Sequence, residues 1–567
     1  MRAGRNSRLP LFQLPVETLQ QILENVASPL SKVHGIFRPF WGSHAMATSM
    51  LSPVLRTCRK LRQIALSHAS LWKTVSSSSQ YRLPALPLYG ADSSAVPLIA
   101  IIDGCDHDSL LGDSGAMDVS RIQELHVLNL RLFRKRDDVA ELRRRFRGVE
   151  LSCLESLSIS SFVATGEEEP ISLEEAPRLR HLVLQSVTYL PQNRFPNLTH
   201  LALEGVCEHE RHATTAHFLS RCPNLENIAI NYADNDEAMS VPPPLSQPLA
   251  LNRLQRISLQ LPNILDKLGE FYLSLFPIRT GQTLPIALQV LNHHWYDMHH
   301  DVEALLKDAT GGAASHLSFS MSPLPDRSSL NILFFAITAA GPQGTFHIAT
   351  VPFYDYDSSL PGPDWDFNQS ATLKSILGRG LCLPAVRELW ISGVHPEVDR
   401  HTHIAAAFKT AIAGLSALET IVLVEPVQGY PPSGSTLGLC PDALDAGAGG
   451  SESRSAPPPN LRTLRLVYGD GGTHWLRDWD GDVNELDLGR LLAELEMGAY
   501  AYFDTLVLEM RPWLDVGSED LQRLKGHFAT VERRYYVDRT PTMPLPDYCV
   551  EPHGGSGGTR SWLGSLW

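Results

Sequence analysis

The sequence contains no apolar run long enough to cross a membrane. A membrane-spanning helix needs about 18 or more apolar residues, and the longest run here, residues 332–340, is much shorter. The amino-terminal residues carry positive charge but lack the apolar segment that a secretory signal peptide requires. We therefore expect a protein with no membrane partner that is located in the cytoplasm, the nucleus or both.

Cysteine is scarce and is scattered along the chain. The eight cysteines, at positions 58, 105, 153, 207, 222, 382, 440 and 549, include no Cys-x-x-Cys pair. In a chain of 567 residues this pattern is typical of reduced thiols. It argues against a disulfide framework and against a structural zinc site.

Recognisable catalytic and cofactor motifs are also missing. The histidine-rich segment 293–301 has residue types that bind zinc or copper, but its spacing matches no metal signature, and a solvated loop is the favoured interpretation. The acidic segment 478–484 lacks the glycine that a calcium-binding loop needs at its sixth position. No serine–histidine–aspartate, cysteine–histidine or paired-carboxylate arrangement can be assembled. The sequence therefore predicts a non-catalytic protein without a cofactor or metal.

Basic residues are outnumbered, since 48 lysines and arginines face 62 acidic residues and give a net charge of −14. This balance disfavours nucleic acid as a partner, because that binding depends on basic contacts to phosphate. The one basic stretch, residues 131–147, fits a solvated helix face, with a nuclear address or a partner patch as the alternatives.

The first 80 residues contain three predicted helices. Pro15 suits the first turn of a helix, and apolar residues follow it at helical spacing, at Val16, Leu19, Ile22, Leu23 and Val26. The second helix begins at Ser52-Pro53 and has an apolar stripe formed by Val54, Leu55, Cys58, Leu61, Ile64 and Ala65. A third, shorter segment contains Leu71-Trp72.

The ordered motifs Leu14-Pro15, Cys58-Arg59-x-Leu61-Arg62-x-Ile64-Ala65 and Leu71-Trp72 resemble the F-box. The closest likeness is to the divergent F-boxes common in basidiomycete fungi, although the loop between the first two helices is longer here. The resemblance implies a three-helix domain that binds a Skp-type adaptor and thereby joins a cullin ubiquitin ligase. The residues that it assigns to the adaptor contact are Leu14, Pro15, Leu19, Ile22, Leu23, Leu55, Cys58, Leu61, Ile64, Leu71 and Trp72.

A pattern of the form L-x-x-L-x-L recurs from residue 120 onward. The first six copies begin at residues 122, 154, 179, 198, 225 and 254, and further copies begin at residues 386, 418 and 461, with a weaker one near residue 506. Most of these intervals lie near the period of 20–29 residues that is typical of leucine-rich repeats. Each copy ends in alternating apolar residues, which predicts a short strand that is buried by stacking on its neighbours.

We therefore predict an α/β protein in which a short three-helix F-box precedes an irregular leucine-rich-repeat solenoid. The predicted boundaries are an F-box-like domain at 1–80, a linker at 81–118, repeats at 119–262, irregular repeats with insertions at 263–382, repeats at 383–428, a disordered insertion at 429–459, terminal repeats at 460–545 and a disordered tail at 546–567.

This organisation predicts a substrate-recognition subunit that holds an unknown protein client on the concave face of the repeats. The residues that we expect to contact the client are His181, His200, Glu388 and Trp390, with Trp390 as the one large anchor. The sequence also allows Trp390 to pack on a neighbouring repeat or insertion. The alternative function is a repeat scaffold with a degenerate F-box and no role in a ligase.

Overall fold

A computed structural model describes most of the predicted repeats. The residues that it describes are 10–26, 56, 59–68, 71, 73–76, 97–103, 119–128, 150–160, 173, 176–185, 187, 190–205, 211–231, 243–261, 267–276, 278, 286–292, 307–323, 333–350, 383–392, 412, 414–424, 458–468, 484–486, 488–496, 500–537, 540–551 and 560–561. The basic stretch 131–147, the histidine-rich segment 293–301 and residues 429–457 of the predicted insertion lie outside these residues.

The described residues form seven α-helices and twenty-one strands. The helices are α1 (Pro10–Gln13), α2 (Val16–Val26), α3 (Arg59–Ser67), α4 (Arg211–Ser220), α5 (Lys267–Leu275), α6 (Gly489–Glu496) and α7 (Ser518–His527). The strands are β1 (Thr74–Ser76), β2 (Leu98–Asp103), β3 (Ile122–Leu128), β4 (Ser156–Ser160), β5 (His181–Gln185), β6 (His200–Glu204), β7 (Asn227–Asn231), β8 (Arg256–Leu261), β9 (Ile286–Asn292), β10 (His316–Pro323), β11 (Leu333–Ala340), β12 (Gly344–Thr350), β13 (Glu388–Ser392), β14 (Thr420–Val424), β15 (Thr463–Val467), β16 (Asn484–Glu485), β17 (Thr505–Met510), β18 (Leu514–Asp515), β19 (Thr530–Tyr535), β20 (Val550–Glu551) and β21 (Arg560–Ser561).

Seventeen strands form one open sheet. Their order is β1-β2-β3-β4-β5-β6-β7-β8-β9-β12-β11-β10-β13-β14-β15-β17-β19. Neighbouring strands are parallel, except that β11 runs antiparallel to both β10 and β12. The predicted α/β class is confirmed at this level, as a mixed protein with a long, largely parallel sheet that is not closed.

The same turn precedes many of the strands. In the β4 unit the amide of Leu154 donates to the carbonyl of Leu151 at 3.0 Å, and in the β7 unit the amide of Leu225 donates to that of Cys222 at 3.3 Å. An asparagine in the turn reaches back to the preceding unit, since the Asn224 side-chain amide donates to the carbonyl of Pro196 at 2.7 Å. The recurrent Pro-Asn-Leu sequence therefore fixes the stagger between successive units.

One apolar core extends along one side of the sheet, which we call the core face. Leu182 and Leu201, at equivalent positions in β5 and β6, are both fully buried there. The connecting helices cover this face, with Phe218 of α4 and Phe271 of α5 in the same core. Because side chains alternate along a strand, the neighbours of these leucines point to the other side, which we call the opposite face.

Strands β10, β11 and β12 interrupt the parallel order. They lie with β9 in the region that we predicted as irregular repeats, and their antiparallel pairing is not a feature of a regular repeat. Gly344 begins β12 where a Cβ atom would lie 1.9 Å from the carbonyl oxygen of Ala309, so only glycine fits without a backbone shift. β12 then pairs in parallel with β9 and continues the sheet.

Candidate functional site

The helical module that precedes the sheet buries much of its predicted adaptor surface. Helices α2 and α3 pack together, and the imidazole of His68 lies 2.8 Å from the carboxylate of Glu24. Of the residues predicted to contact the adaptor, the buried ones are Leu19, Leu23, Leu61, Ile64 and Leu71. Short helices use their apolar stripes to pack on each other, so these side chains are already buried in the chain by itself, and their contact with an adaptor stays a prediction.

Other apolar side chains of this module are exposed. Leu14 is 36% exposed and Ile22 is 37% exposed, and Pro15 is also exposed. Leu55, Cys58 and Trp72 lie outside the residues whose side chains the structure describes. The exposed apolar side chains of the module are Leu11, Leu14, Val16, Ile22 and Leu66.

On the opposite face, polar side chains at equivalent positions of β3 to β8 form a connected row. Its members are Glu124, Ser156, His181, His200, Asn227 and Arg256. The structure therefore brings the two predicted client residues His181 and His200 together, and their ring centroids are 4.8 Å apart. The hydroxyl oxygen of Ser156 lies 2.7 Å from Nδ1 of His181, within hydrogen-bonding distance.

The hydrogen bonds around His200 define its protonation state. The Asn227 side-chain amide donates to Nε2 of His200 at 2.7 Å, and Nδ1 of His200 lies 2.9 Å from the hydroxyl of Thr199. The Asn227 carbonyl oxygen is then free to accept from the Arg256 guanidinium, at 2.8 Å. His200 is thus neutral, with Nε2 as the acceptor.

Burial lowers the pKa values of both histidines. The pKa of His181 falls to about 4, chiefly through desolvation. That of His200 falls to about 3, through desolvation and the nearby charges of His181 and Arg256. An imidazole with such a low pKa is a weak base at neutral pH, so the Ser156–His181 contact is better suited to a structural role than to activating a nucleophile.

A cavity of about 680 Å³ opens beside these histidines, at the edge of the sheet where the strands begin. Three arginines line it, at positions 178, 180 and 253, together with Glu155 and Glu226. This edge is polar and carries both signs of charge.

The second half of the opposite face carries an ionic network. The Arg465 guanidinium lies 2.6 Å from the carboxylate of Glu509 and 3.5 Å from that of Glu388. His316 lies 3.4 Å from Glu388 on its other side. Burial would raise the pKa of the Glu388 carboxyl, but the hydrogen bond with His316 and the charges of His316 and Arg465 together lower it.

Trp390 is not the exposed anchor that the sequence predicts, because only 2% of its surface is accessible. It packs in an apolar cluster with Val422 and Val467 of the adjoining strands and with Met543. The Arg465 guanidinium lies over its indole ring, 5.0 Å from the ring centre. Of the two interpretations that the sequence allows, packing against another part of the chain is the one observed.

Met543 belongs to a carboxy-terminal segment, residues 536–549, whose described residues, 536–537 and 540–549, lie along the opposite face. The segment leaves β19 at Tyr536, whose amide donates to the carbonyl of Met510 at 3.1 Å and whose hydroxyl donates to the carbonyl of Tyr468. It ends at Tyr548 and Cys549, beside β8, β9 and β12. The segment therefore crosses the sheet in the reverse of the strand order.

The far end of the segment is held by several polar contacts. The Tyr548 hydroxyl donates to the carbonyl of Gly341 at 2.8 Å and lies 2.8 Å from the hydroxyl of Thr345. Arg256 donates to the carbonyl of Tyr548 at 2.8 Å, and the Cys549 thiol contacts Thr345 at 3.3 Å. The predicted disordered tail begins at residue 546, whereas the structure packs residues 546–549 against the sheet.

The sequence contains two signals for this contact. Strand β14 reads Thr-Ile-Val-Leu-Val, which is apolar on both faces and so needs a cover on each side. The segment itself has prolines at positions 541, 544 and 546 that alternate with Met543 and Leu545, which is typical of an extended chain with apolar contacts. Neither feature of the sequence, taken by itself, shows that the carboxy-terminal segment packs on β14.

No protein-family model matches this sequence, and no curated protein matches it. In the part of the chain that the structure describes, no helix is both long and apolar enough to cross a lipid bilayer. The same residues include no group of three or more histidine, cysteine or acidic side chains placed to hold a metal ion.

Proposed function

We propose that this protein is the substrate-recognition subunit of a cullin-type ubiquitin ligase, in which an F-box-like module binds a Skp-type adaptor and a leucine-rich solenoid binds a protein client. The observation that carries the proposal is the exposed apolar surface of the helical module. Leu14, Val16 and Ile22 remain accessible although the two helices already pack on each other. A small helical module that leaves large apolar side chains in water is stabilised by a partner that covers them.

The mechanism is proximity. The long open sheet with its repeated units supports the reading of the chain as a solenoid, a fold that offers extended surfaces for proteins. Tethering a client to the ligase raises the effective concentration of the client's lysines near charged ubiquitin. The protein itself supplies binding surfaces and no reacting group.

A repeat scaffold is the second candidate, and one observation favours it. Helix α3 leads through Leu71 into β1, which pairs with β2 as the first strand of the sheet. Repeat arrays require a cap at each end. In this interpretation the helical module only shields the first strands.

Adaptor binding by the full-length chain separates the two candidates. We expect Leu14→Asp together with Ile22→Asp to weaken adaptor binding at least about 100-fold, because each removes an apolar contact and buries a charge. Leu245→Asp is the matched control, since Leu245 is also 37% exposed but lies far along the chain, and it should leave the affinity unchanged. Equal adaptor affinity for the wild type and the double variant would favour the scaffold.

A further inference from the structure

The opposite face of the sheet around β11 to β15 is an apolar groove that is already filled. Its floor is formed by Ala340, Trp390, Val422 and Val467, and all four side chains are buried. The side chain that covers them, Met543, comes from the carboxy-terminal segment 536–549 and not from a repeat. The contact between the groove and the segment therefore has the form of a protein surface with a bound peptide, because the segment is not one of the repeats that form the groove.

Beyond Tyr536, whose amide bonds to the backbone of β17, the segment is held by contacts of side chains and not by pairing of its backbone with a strand. Pro541, Pro544 and Pro546 have no amide hydrogen to donate. Among the described backbone hydrogen bonds, none joins residues 540–548 to a strand, and the amide of Cys549 donates within the segment to the carbonyl of Pro546. Such a segment can leave without breaking the sheet.

The two anchor points define what the groove recognises. One is an unbranched apolar side chain in the cluster that contains Trp390, occupied by Met543. The other is a phenol whose hydroxyl donates to the Gly341 carbonyl and meets Thr345, occupied by Tyr548. Between them lie Pro544 and Pro546, and the chain then closes in a 3₁₀ turn at Asp547–Cys549 that presents the Tyr548 ring.

We propose that this groove is a binding site for a proline-containing peptide segment with an apolar residue and, five positions later, a tyrosine in a 3₁₀ turn, and that residues 541–549 are an internal ligand for it. A client segment of the same chemistry binds there by displacing the internal one. The identification of the external ligand as a client rests on the proposed function, whereas the groove and its internal ligand do not.

Competition by the internal ligand sets the affinity that a client needs. A tethered segment has an effective concentration that is commonly in the millimolar range, so the groove is occupied most of the time. The apparent Kd of an external segment is then its intrinsic Kd divided by the fraction of open groove. Weak peptides are excluded, which gives the site selectivity.

Peptide binding to the full-length chain tests the proposal. The probe is a fluorescent peptide of residues 540–550, with serine in place of Cys549. We expect it to bind the variant Met543→Asp/Tyr548→Ala at least tenfold more tightly than the wild type, because that variant empties the groove but leaves its floor intact. Val537→Asp is the control, since Val537 is 75% exposed and changing it should not release the segment. A peptide that carries both substitutions should not bind.

Thiol labelling of the wild type shows whether the segment opens, even if the double variant fails to fold. Cys549 and Cys222 are both fully buried; Cys549 is the last residue of the segment and packs beside Ala287, whereas Cys222 belongs to the main core. We expect Cys549 to be alkylated at least tenfold faster than Cys222. Equal rates would overturn the proposal, because the segment would then open only with the core.

A folded double variant that does not bind the peptide would also overturn the proposal. No adaptor is present in either experiment, so loss of adaptor binding and loss of peptide binding are separate results. Peptide binding without adaptor binding would retain the groove and reject the ligase role.

Discussion

The histidine pair on the opposite face makes stability depend on pH in a way that can be calculated. His181 and His200 have pKa values of about 4 and 3 in the folded chain, against about 6.5 for an unperturbed histidine. The unfolded state therefore binds more protons than the folded state below pH 6.5. Stability falls as the pH drops below 6.5, and each contribution stops growing below the folded pKa of that histidine.

The magnitude at pH 5 follows from the unfolded pKa. That pH is about 1.5 units below 6.5, while both folded imidazoles remain largely neutral, so each histidine costs about 2 kcal/mol of unfolding free energy relative to pH 7.5. The pair together costs about 4 kcal/mol. The charged groups that act on the pair are Glu124, Glu155, Arg180 and Arg256.

The assay compares urea unfolding of the wild type and of His181→Asn/His200→Gln at pH 7.5 and pH 5. These amides retain hydrogen-bonding atoms near Nδ1 of His181 and Nε2 of His200 but do not titrate. All other titrating groups are common to both proteins, so the difference isolates the pair. We expect the wild type to lose about 4 kcal/mol more than the variant on acidification. A difference below about 1 kcal/mol would show that the histidines are hydrated in solution, and would refute the reasoning.

Three further predictions concern stability and are tested by the same unfolding assay. Leu201→Ala should cost about 2–5 kcal/mol by leaving a cavity in the core, whereas Gln185→Ala should cost less than about 1 kcal/mol; equal midpoints would contradict the assignment of the core face. Trp390→Ala should cost about 3–5 kcal/mol, because its indole is buried beneath Met543, and an unchanged midpoint would contradict that packing. Burial raises the pKa of Glu204 to about 7, so the folded state binds the proton more tightly than the unfolded state, and the chain loses stability as the pH rises from about 4.5 to 7. Glu204→Gln removes this loss and should raise the free energy of unfolding by up to about 3 kcal/mol at pH 8, with no gain at pH 4.

The repeated core could be predicted from the sequence because its signal is local. In one unit the spacing of Leu179, Leu182 and Leu184 predicts both a turn and the strand that follows it. The next unit has the same spacing, at Leu198, Leu201 and Leu203. When parallel strands pair in register, the equivalent leucines of successive units lie side by side, and this spacing alone buries the core face of the sheet. All six leucines are buried in the structure.

The cover of the opposite face could not be predicted, because it depends on contacts distant in sequence. Tyr548 contacts Arg256, which lies 292 residues earlier, and no periodicity links the two. The sequence instead predicted that residues up to 545 belong to the terminal repeats and that residues 546–549 begin a disordered tail. Glu204 shows the same limitation, since its polar side chain at a strand end predicted a surface position, whereas the structure half-buries it.

The helical module illustrates a different limit. A sequence motif shows which residue types occur together, but it does not show whether each side chain packs inside the module or contacts a partner protein. Leu61 and Ile22 both belong to the motif, yet Leu61 is 8% exposed and Ile22 is 37% exposed. A substitution at Leu61 would unfold the module whether or not an adaptor binds there. The exposed positions Leu14 and Ile22 are therefore the informative ones.

The histidine pair and the carboxy-terminal segment are connected by one chain of hydrogen bonds. Neutral His200 accepts from the Asn227 amide, which leaves the Asn227 carbonyl oxygen for Arg256, and Arg256 in turn donates to the carbonyl of Tyr548. A protonated His200 would present a donor to the Asn227 amide, and Asn227 would have to turn its oxygen away from Arg256. Protonation of His200 and release of the segment therefore favour each other, since linkage between two such equilibria is reciprocal. Near pH 3, where His200 takes up a proton in the folded chain, the fraction of open groove should therefore rise in molecules that remain folded.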